Sequence, residues 1–284
     1  MSHELNVSTT IPNLPKSTIL SLDFANVQNT LVLGSINFDG ALDIYNLGMS
    51  SQYQNKTSSP ARLCGTSFPT PCSSMRIDSA NRVCYVGMGD GKIAIWNIAT
   101  NQTTQLGEHL DICNNVRWLP QYNILVSSGL DGFVKYWDPR TSQAQGQINL
   151  KAPIVAMDAS GNTIISGCND RSLQLIDLRN PMAIASTPKY DLEHHIVSLT
   201  AMHNNEGFVY SSYEGRARVE FLNNPQSSFP FRSHRGNAGN LSNTTYPFSS
   251  MACHPQTNIL ATAGCDGTIN LWDFYSRKKR SHSP

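Results

Sequence analysis

The feature that most constrains this chain is a short hairpin that it writes six times over. The fullest copy holds two strand-like runs, Ile124 to Ser128 and Phe133 to Asp138, with Leu130-Asp131-Gly132 between them. Asp-Gly is a strong reversal signal because a tight turn needs residues that tolerate positive φ. In the second run Phe133, Lys135 and Trp137 alternate with Val134 and Tyr136. Both faces carry aromatic or branched groups, so the strand needs cover on both sides. One such hairpin cannot bury its own faces, and its stability depends on repetition.

The pattern recurs as Phe38-Asp39-Gly40 to Tyr45, Asp90-Gly91 to Trp96, Asp170-Arg171 to Ile176, Glu214-Gly215 to Phe221 and Asp266-Gly267 to Trp272. The turn acids from Asp39 to Asp266 stand 51, 41, 39, 44 and 52 residues apart. That spacing brackets the ~40–45 residues of a four-stranded propeller blade. The expected fold is all-β: a β-propeller of six recognisable repeats, forming a single domain over residues 1–284. Glu4 to Ser8 reads as a lone strand completing the last blade. Residues 48–61 read as a polar loop, and 276–284 as a basic C-terminal tail or edge strand.

Composition narrows the function classes. A net charge of +1 gives no global attraction for nucleic acid or acidic membrane, so any basic site must be local. No apolar run approaches the ~18 residues of a membrane span, and the start of the chain lacks a secretory signal pattern. The five formal glycosylation sequons therefore carry no weight. Seven scattered cysteines without a C-x-x-C pair read as structural thiols, with no metal or other cofactor implied. Gly87-Met-Gly-Asp-Gly91 has no following helix and reads as a hairpin turn, not a phosphate loop. His194-His195 has no helical ligand partner and reads as surface. Arg277-Lys-Lys-Arg280 reads equally as a nuclear import signal or as a solvated edge strand.

Trp137-Asp138 ends the fullest copy as a WD repeat ends, and the match is best in that third repeat. The tetrad of WD repeats resembles His109, Ser127, Asp131 and Trp137. That resemblance implies a buried network in which Asp131 accepts from the imidazole, the imidazole donates toward Ser127, and Ser127 takes the indole N–H. The rival reading is a catalytic dyad of His109 and Asp131 with Ser127 as nucleophile. Trp137 and the tight-turn Asp131 explain the set without a substrate.

Val134-Lys-Tyr-Trp-Asp-Pro-Arg-Thr141, Ile176-Asp-Leu-Arg-Asn180, Tyr210 to Phe221 and Phe229-Pro-Phe-Arg-Ser-His-Arg235 are narrower still. They resemble the mitotic spindle-checkpoint propellers of the "budding uninhibited by benzimidazole" family. A sister group, the nuclear-pore mRNA export propellers, shares the Glu-Gly-Arg and His-Arg segments. The resemblance implies a non-enzymatic adaptor, monomeric within hetero-complexes, in the nucleus and at the kinetochore in mitosis. Its implied partners are checkpoint kinases, bound through GLEBS-type segments, and a phosphorylated kinetochore scaffold; membrane and nucleic acid are not among them. The alternative is an mRNA export adaptor binding a nucleoporin GLEBS segment and RNA. The implied peptide-binding residues are Arg216, Arg232, Arg235 and Glu214. Where the family has Ser-Trp-Asp in its first repeat, this chain has Ser35-Ile-Asn-Phe-Asp39, moving the expected aromatic contact to Phe38. The family is also seven-bladed, against six repeats here.

Overall fold

The computed structural model describes residue 11 and residues 16–49, 60–141, 143–238 and 241–283. The expected strand Glu4 to Ser8 and most of the polar loop fall outside the described residues. Six four-stranded antiparallel sheets and one two-stranded hairpin make up the fold, with each sheet a simple meander in chain order. These are the blades of a six-bladed β-propeller. Among the described residues the only helical turns are two 3-10 turns, His203–Asn205 and Pro225–Ser227. None is long and apolar enough to cross a membrane.

The chain divides into two compact units, residues 7–151 and 152–284. The first holds blades one (19–67), two (72–108) and three (113–149), and the second holds blades four (154–186), five (196–232) and six (248–283). The hairpin Arg235–Ala238 with Leu241–Thr245 lies between blades five and six in sequence.

The turn chemistry explains where each blade reverses. Gly40, Gly91, Gly132, Gly215 and Gly267 all hold φ between 65° and 88°. At Gly91 an added Cβ would stand 2.5 Å from the His109 carbonyl oxygen, so the turn both needs positive φ and lies against the following chain. Blade four has no glycine there, and Arg171 takes φ 66° at a cost of about 1 kcal/mol. Its guanidinium donates to the Glu193 carbonyl, 2.9 Å away, which ties down the entry to blade five.

Core material sits between consecutive blades of each unit. Ile36, Leu42, Met75 and Trp96 pack between blades one and two, and Tyr85, Leu125 and Trp137 between blades two and three. Leu175, Leu199, Phe208 and Tyr210 fill the space between blades four and five, and Val219, Phe221, Met251 and Phe274 that between five and six. Each such side chain contributes about 1.5–3 kcal/mol when fully buried. Each blade's innermost strand pairs on one side only, so some of its N–H groups need other acceptors. Side chains of the preceding blade supply them. Ile77 N donates to Asp23 Oδ2 (2.8 Å) and Val116 N to Ser74 Oγ (3.2 Å). In the second unit Ala201 N donates to Asp158 Oδ2 (3.0 Å) and Cys253 N to Thr200 Oγ1 (3.3 Å).

Every blade also has an outer strand that the hydrophobic pattern did not announce. Ala61–Ser67, Gln102–Glu108 and Ala144–Asn149 are polar and largely exposed, so they lack the alternation that marks a half-buried strand. The segment from Phe229 also begins as such a strand, Phe229–Arg232 of blade five. The basic run at the C-terminal end, read from the sequence as a tail or an edge strand, is the outer strand of blade six: Lys278–Ser283 pairs along Ile269–Asp273.

All seven cysteines are free thiols. Burial raises the thiols of Cys72 and Cys253 to about 12 and that of Cys168 to about 11, and pushes Cys84 and Cys113 up as well. Cys265, just beyond the strand that ends at Gly264, is exposed in the last hairpin turn, unlike a buried structural thiol. Because the thiolate is the reactive species, Ellman's reagent on the native protein should show one fast thiol, lost in Cys265→Ser. Two or more fast thiols would contradict this burial pattern.

Candidate functional site

The third strand of blade five, Arg216–Phe221, alternates strictly. Ala217, Val219 and Phe221 enter the core, which turns Arg216, Arg218 and Glu220 to the opposite face. Arg218 is committed to structure, with Nη1 2.9 Å from Asp191 Oδ2 and Nε bonded to Glu220. Arg216 stands at the turn, its Nε 3.1 Å from Glu214 Oε2, with its side chain about one-third exposed. The other Glu214 oxygen contacts His194 Nε2. Glu214 therefore holds Arg216 in place, and its own charge is largely engaged.

Directly across the sheet from Arg216 stands Arg232, the last residue of the outer strand. Like charges at opposed positions on neighbouring strands destabilise a sheet by roughly 0.2–1 kcal/mol unless something neutralises them. Beyond Arg232 the chain turns through His234 at φ 54°, burying Ser233 and His234 and returning Arg235 to the surface. Arg232, Arg235 and Lys279 then line one shallow cleft of about 180 Å³ with Asp266, Thr268, Asn270 and Trp272. Lys279 comes from the outer strand of blade six, so residues far apart in sequence converge here. Among the described residues none of these three cations has an ion-pair partner.

The carboxylate in the cleft is already used. Burial works to raise the Asp266 pKa, but the backbone and hydroxyl of Thr268 and the His234 ring outweigh it and hold the group below its usual value. His234 Nδ1 lies 3.0 Å from Asp266 Oδ1, and Nε2 lies 3.1 Å from Thr262 Oγ1, which also accepts the Trp272 indole N–H at 3.2 Å. This is a second tetrad, and its histidine is one of the two residues between Arg232 and Arg235. The buried ring anchors the segment that presents both arginines.

In blade three the tetrad is complete in the expected residues. His109 Nδ1 is 3.0 Å from both Asp131 oxygens, His109 Nε2 is 2.8 Å from Ser127 Oγ, and Trp137 Nε1 donates to Ser127 Oγ at 2.8 Å. Asp131 takes the Nδ1 side of the ring and Ser127 Oγ the Nε2 side, and Ser127 also accepts the indole N–H, so one network joins all four residues. Burial works to raise the Asp131 pKa, but the His109 ring and the N–H groups of Leu110 and Phe133 hold it below the ordinary carboxylate range. Ser127 is completely buried and already engaged by two partners, which leaves no attack path for a nucleophile.

Sequence reasoning missed two contributors. Thr262, Asp266 and Trp272 repeat the spacing of Ser127, Asp131 and Trp137, a legible signal. The histidine was obscured because it precedes its Asp by 32 residues in blade six against 22 in blade three, the hairpin lying between. Lys279 was read only as one letter of a basic run. In that run Arg277 donates to the Ser227 carbonyl and Arg280 pairs with Asp273. Phe38 occupies the turn of blade one and is 58 % exposed. Among the described residues Glu193, His194 and Glu214 bring metal-ligating atoms within 4.8 Å of one another. Arg216 and His194 already satisfy Glu214, so the cluster is accounted for as an ion-pair network.

The WD domain, G-beta repeat family matches residues 100–138 and 238–273, the stretches that end in the two tetrad tryptophans. The chain is 28% identical to the mitotic checkpoint protein bub-3 of Caenorhabditis elegans, over 95% of this chain and 78% of that protein. It is likewise 28% identical to the spindle assembly checkpoint protein bub3 of Schizosaccharomyces pombe, over 97% of this chain and 83% of that one. The poly(A)+ RNA export protein of the same yeast is 30% identical over 70% of this chain and 57% of its own length.

Proposed function

Because the chain belongs to the WD-repeat propeller family of the bub-3 checkpoint and poly(A)+ RNA export proteins, we propose that it is a non-enzymatic adaptor of the spindle assembly checkpoint. It binds GLEBS-type segments of checkpoint kinases and phosphorylated repeats of the kinetochore scaffold, as a monomeric propeller within hetero-complexes. It works in the nucleus and, in mitosis, at the kinetochore.

The observation that carries this reading is the cleft where Arg232, Arg235 and Lys279 converge, with no ion-pair partner among the described residues, around a carboxylate already engaged by His234 and Thr268. Arginine's planar fork suits a carboxylate or a phosphate, and Lys279 adds a mobile point charge. Arg216, held by Glu214 opposite Arg232, extends the same basic surface toward the turn of blade five. An incoming acidic group would relieve the opposition of Arg216 and Arg232. Phe38 would give a separate apolar contact on blade one. The checkpoint assignment is favoured over export because the checkpoint relatives align along nearly the whole chain.

Affinity purification from mitotic and interphase cells, read by mass spectrometry, tests the assignment. The expected result is a checkpoint kinase enriched in the mitotic sample. Recovery of a nucleoporin and RNA in both samples, with no checkpoint kinase, would transfer the protein to the export role.

A further inference from the structure

At the opposite end of blade five's third strand from Arg216, about 17 Å away at ~3.3 Å per residue, lies a second cleft of about 330 Å³. Its floor is apolar: Phe221 and Phe274 are both buried, with ring centroids 6.4 Å apart. Tyr275 stands over them at 5.5 and 5.2 Å and is half exposed. Such tilted ring pairs leave edges and faces that accept one more aromatic or branched side chain.

Two charged groups are fixed at its wall. The Arg277 guanidinium lies 4.5 Å over the Phe229 ring and donates through Nη2 to the Ser227 carbonyl, 3.1 Å away. Stacking covers one of its faces and orients the remaining N–H groups, an arrangement that suits a carboxylate. Arg277 also holds φ 55°, a left-handed conformation that strains a non-glycine residue. The strain accompanies a guanidinium held at the cleft instead of free in solvent. On Glu206, Oε2 accepts the Tyr275 hydroxyl at 2.6 Å. That bond, with burial, raises the Tyr275 pKa to about 12, so the phenol keeps its proton and its place. The second Glu206 oxygen remains available to a donor such as a peptide N–H.

We propose that this cleft docks a short extended peptide bearing an acidic side chain next to a large apolar one. The apolar side chain rests on Phe221, Phe274 and Tyr275, the acid meets Arg277, and a backbone N–H of the peptide reaches Glu206. A single guanidinium and a single carboxylate complement a peptide, which offers an acid and N–H donors together. They complement a free anion less well, because Glu206 would repel it. The site is independent of the cationic cleft on blades five and six, so either can fail alone.

The test titrates the full chain, labelled with 15N, with the peptide Ac-Gly-Phe-Glu-Gly-NH2 and with its neutral twin Ac-Gly-Phe-Gln-Gly-NH2. The expected result is shifts at the amides of 222–224, 226–228 and 274–277, with the acidic peptide binding about tenfold more tightly, the worth of one charge-assisted bond. Arg277→Gln should bring the two peptides to equal affinity with an unchanged amide spectrum elsewhere. Equal affinities on the wild-type protein, shifts confined to other blades, or no shifts with either peptide would each overturn the proposal.

Discussion

The double variant Arg232→Glu/Arg235→Glu loses affinity for an acidic or phosphorylated peptide by about a thousandfold, while its melting temperature stays within about 2 °C of wild type. Two hydrogen bonds to charged groups are worth about 4 kcal/mol together, which is that factor in affinity. The reversed charges then add repulsion. The fold should tolerate the change because both side chains are exposed and neither has an ion-pair partner among the described residues. Surface substitutions of that kind usually alter stability by less than ~0.5 kcal/mol. Arg216→Ala should cost less, about fivefold, because Glu214 already compensates part of that charge. Fluorescence anisotropy with a labelled peptide, beside a thermal melt, reads both quantities. Wild-type affinity in the double variant would show that the arginines are idle, and a large fall in melting temperature would show that they hold the fold.

His109→Ala has the opposite signature, with a large loss of stability and no direct loss of a peptide contact. Removing the ring leaves Ser127 and Asp131 without their shared partner in a site closed to water, with the Trp137 indole bonded to a Ser127 hydroxyl that has lost its other neighbour. Breaking a buried network that includes a charge costs about 3–5 kcal/mol, and a chain of this size loses roughly 2–4 °C per kcal/mol. A fall of about 10–15 °C is therefore expected. The same network sets an acid limit. The folded-state pKa of Asp131 lies below its unfolded value, so its contribution is complete above about pH 4. It is lost as the pH falls through the folded-state value. Denaturant melts should show wild type losing its advantage over His109→Ala below that pH. A constant difference between the two from pH 7 to pH 2 would mean that the charge on Asp131 contributes nothing.

The blades were legible because their turns are chemically demanding. Asp-Gly recurs at a blade's spacing, and the two strands flanking each turn carry the apolar groups that fill the space between blades. The outer strands were not legible, since residues such as Gln102 to Gln105 are solvated and carry no period. The blade-three tetrad could be read because its four residues follow the usual spacing. The blade-six tetrad could not, because ten additional residues separate His234 from Asp266. That one oversight also hid why Arg232 and Arg235 are fixed in place. Lys279 joins them only through the pairing of the last outer strand, a long-range consequence of the fold that no local pattern encodes.

The basic cleft on blades five and six should recognise negative charge on a peptide. Isothermal titration of the wild-type chain with a short acidic peptide carrying one threonine, phosphorylated and unphosphorylated on that threonine, is the direct test. A phosphate adds about −1.5 to −2 charges and three strong acceptors, so the phosphorylated form should bind at least about tenfold more tightly. Equal affinity for the two forms, or no binding of either, would contradict the account.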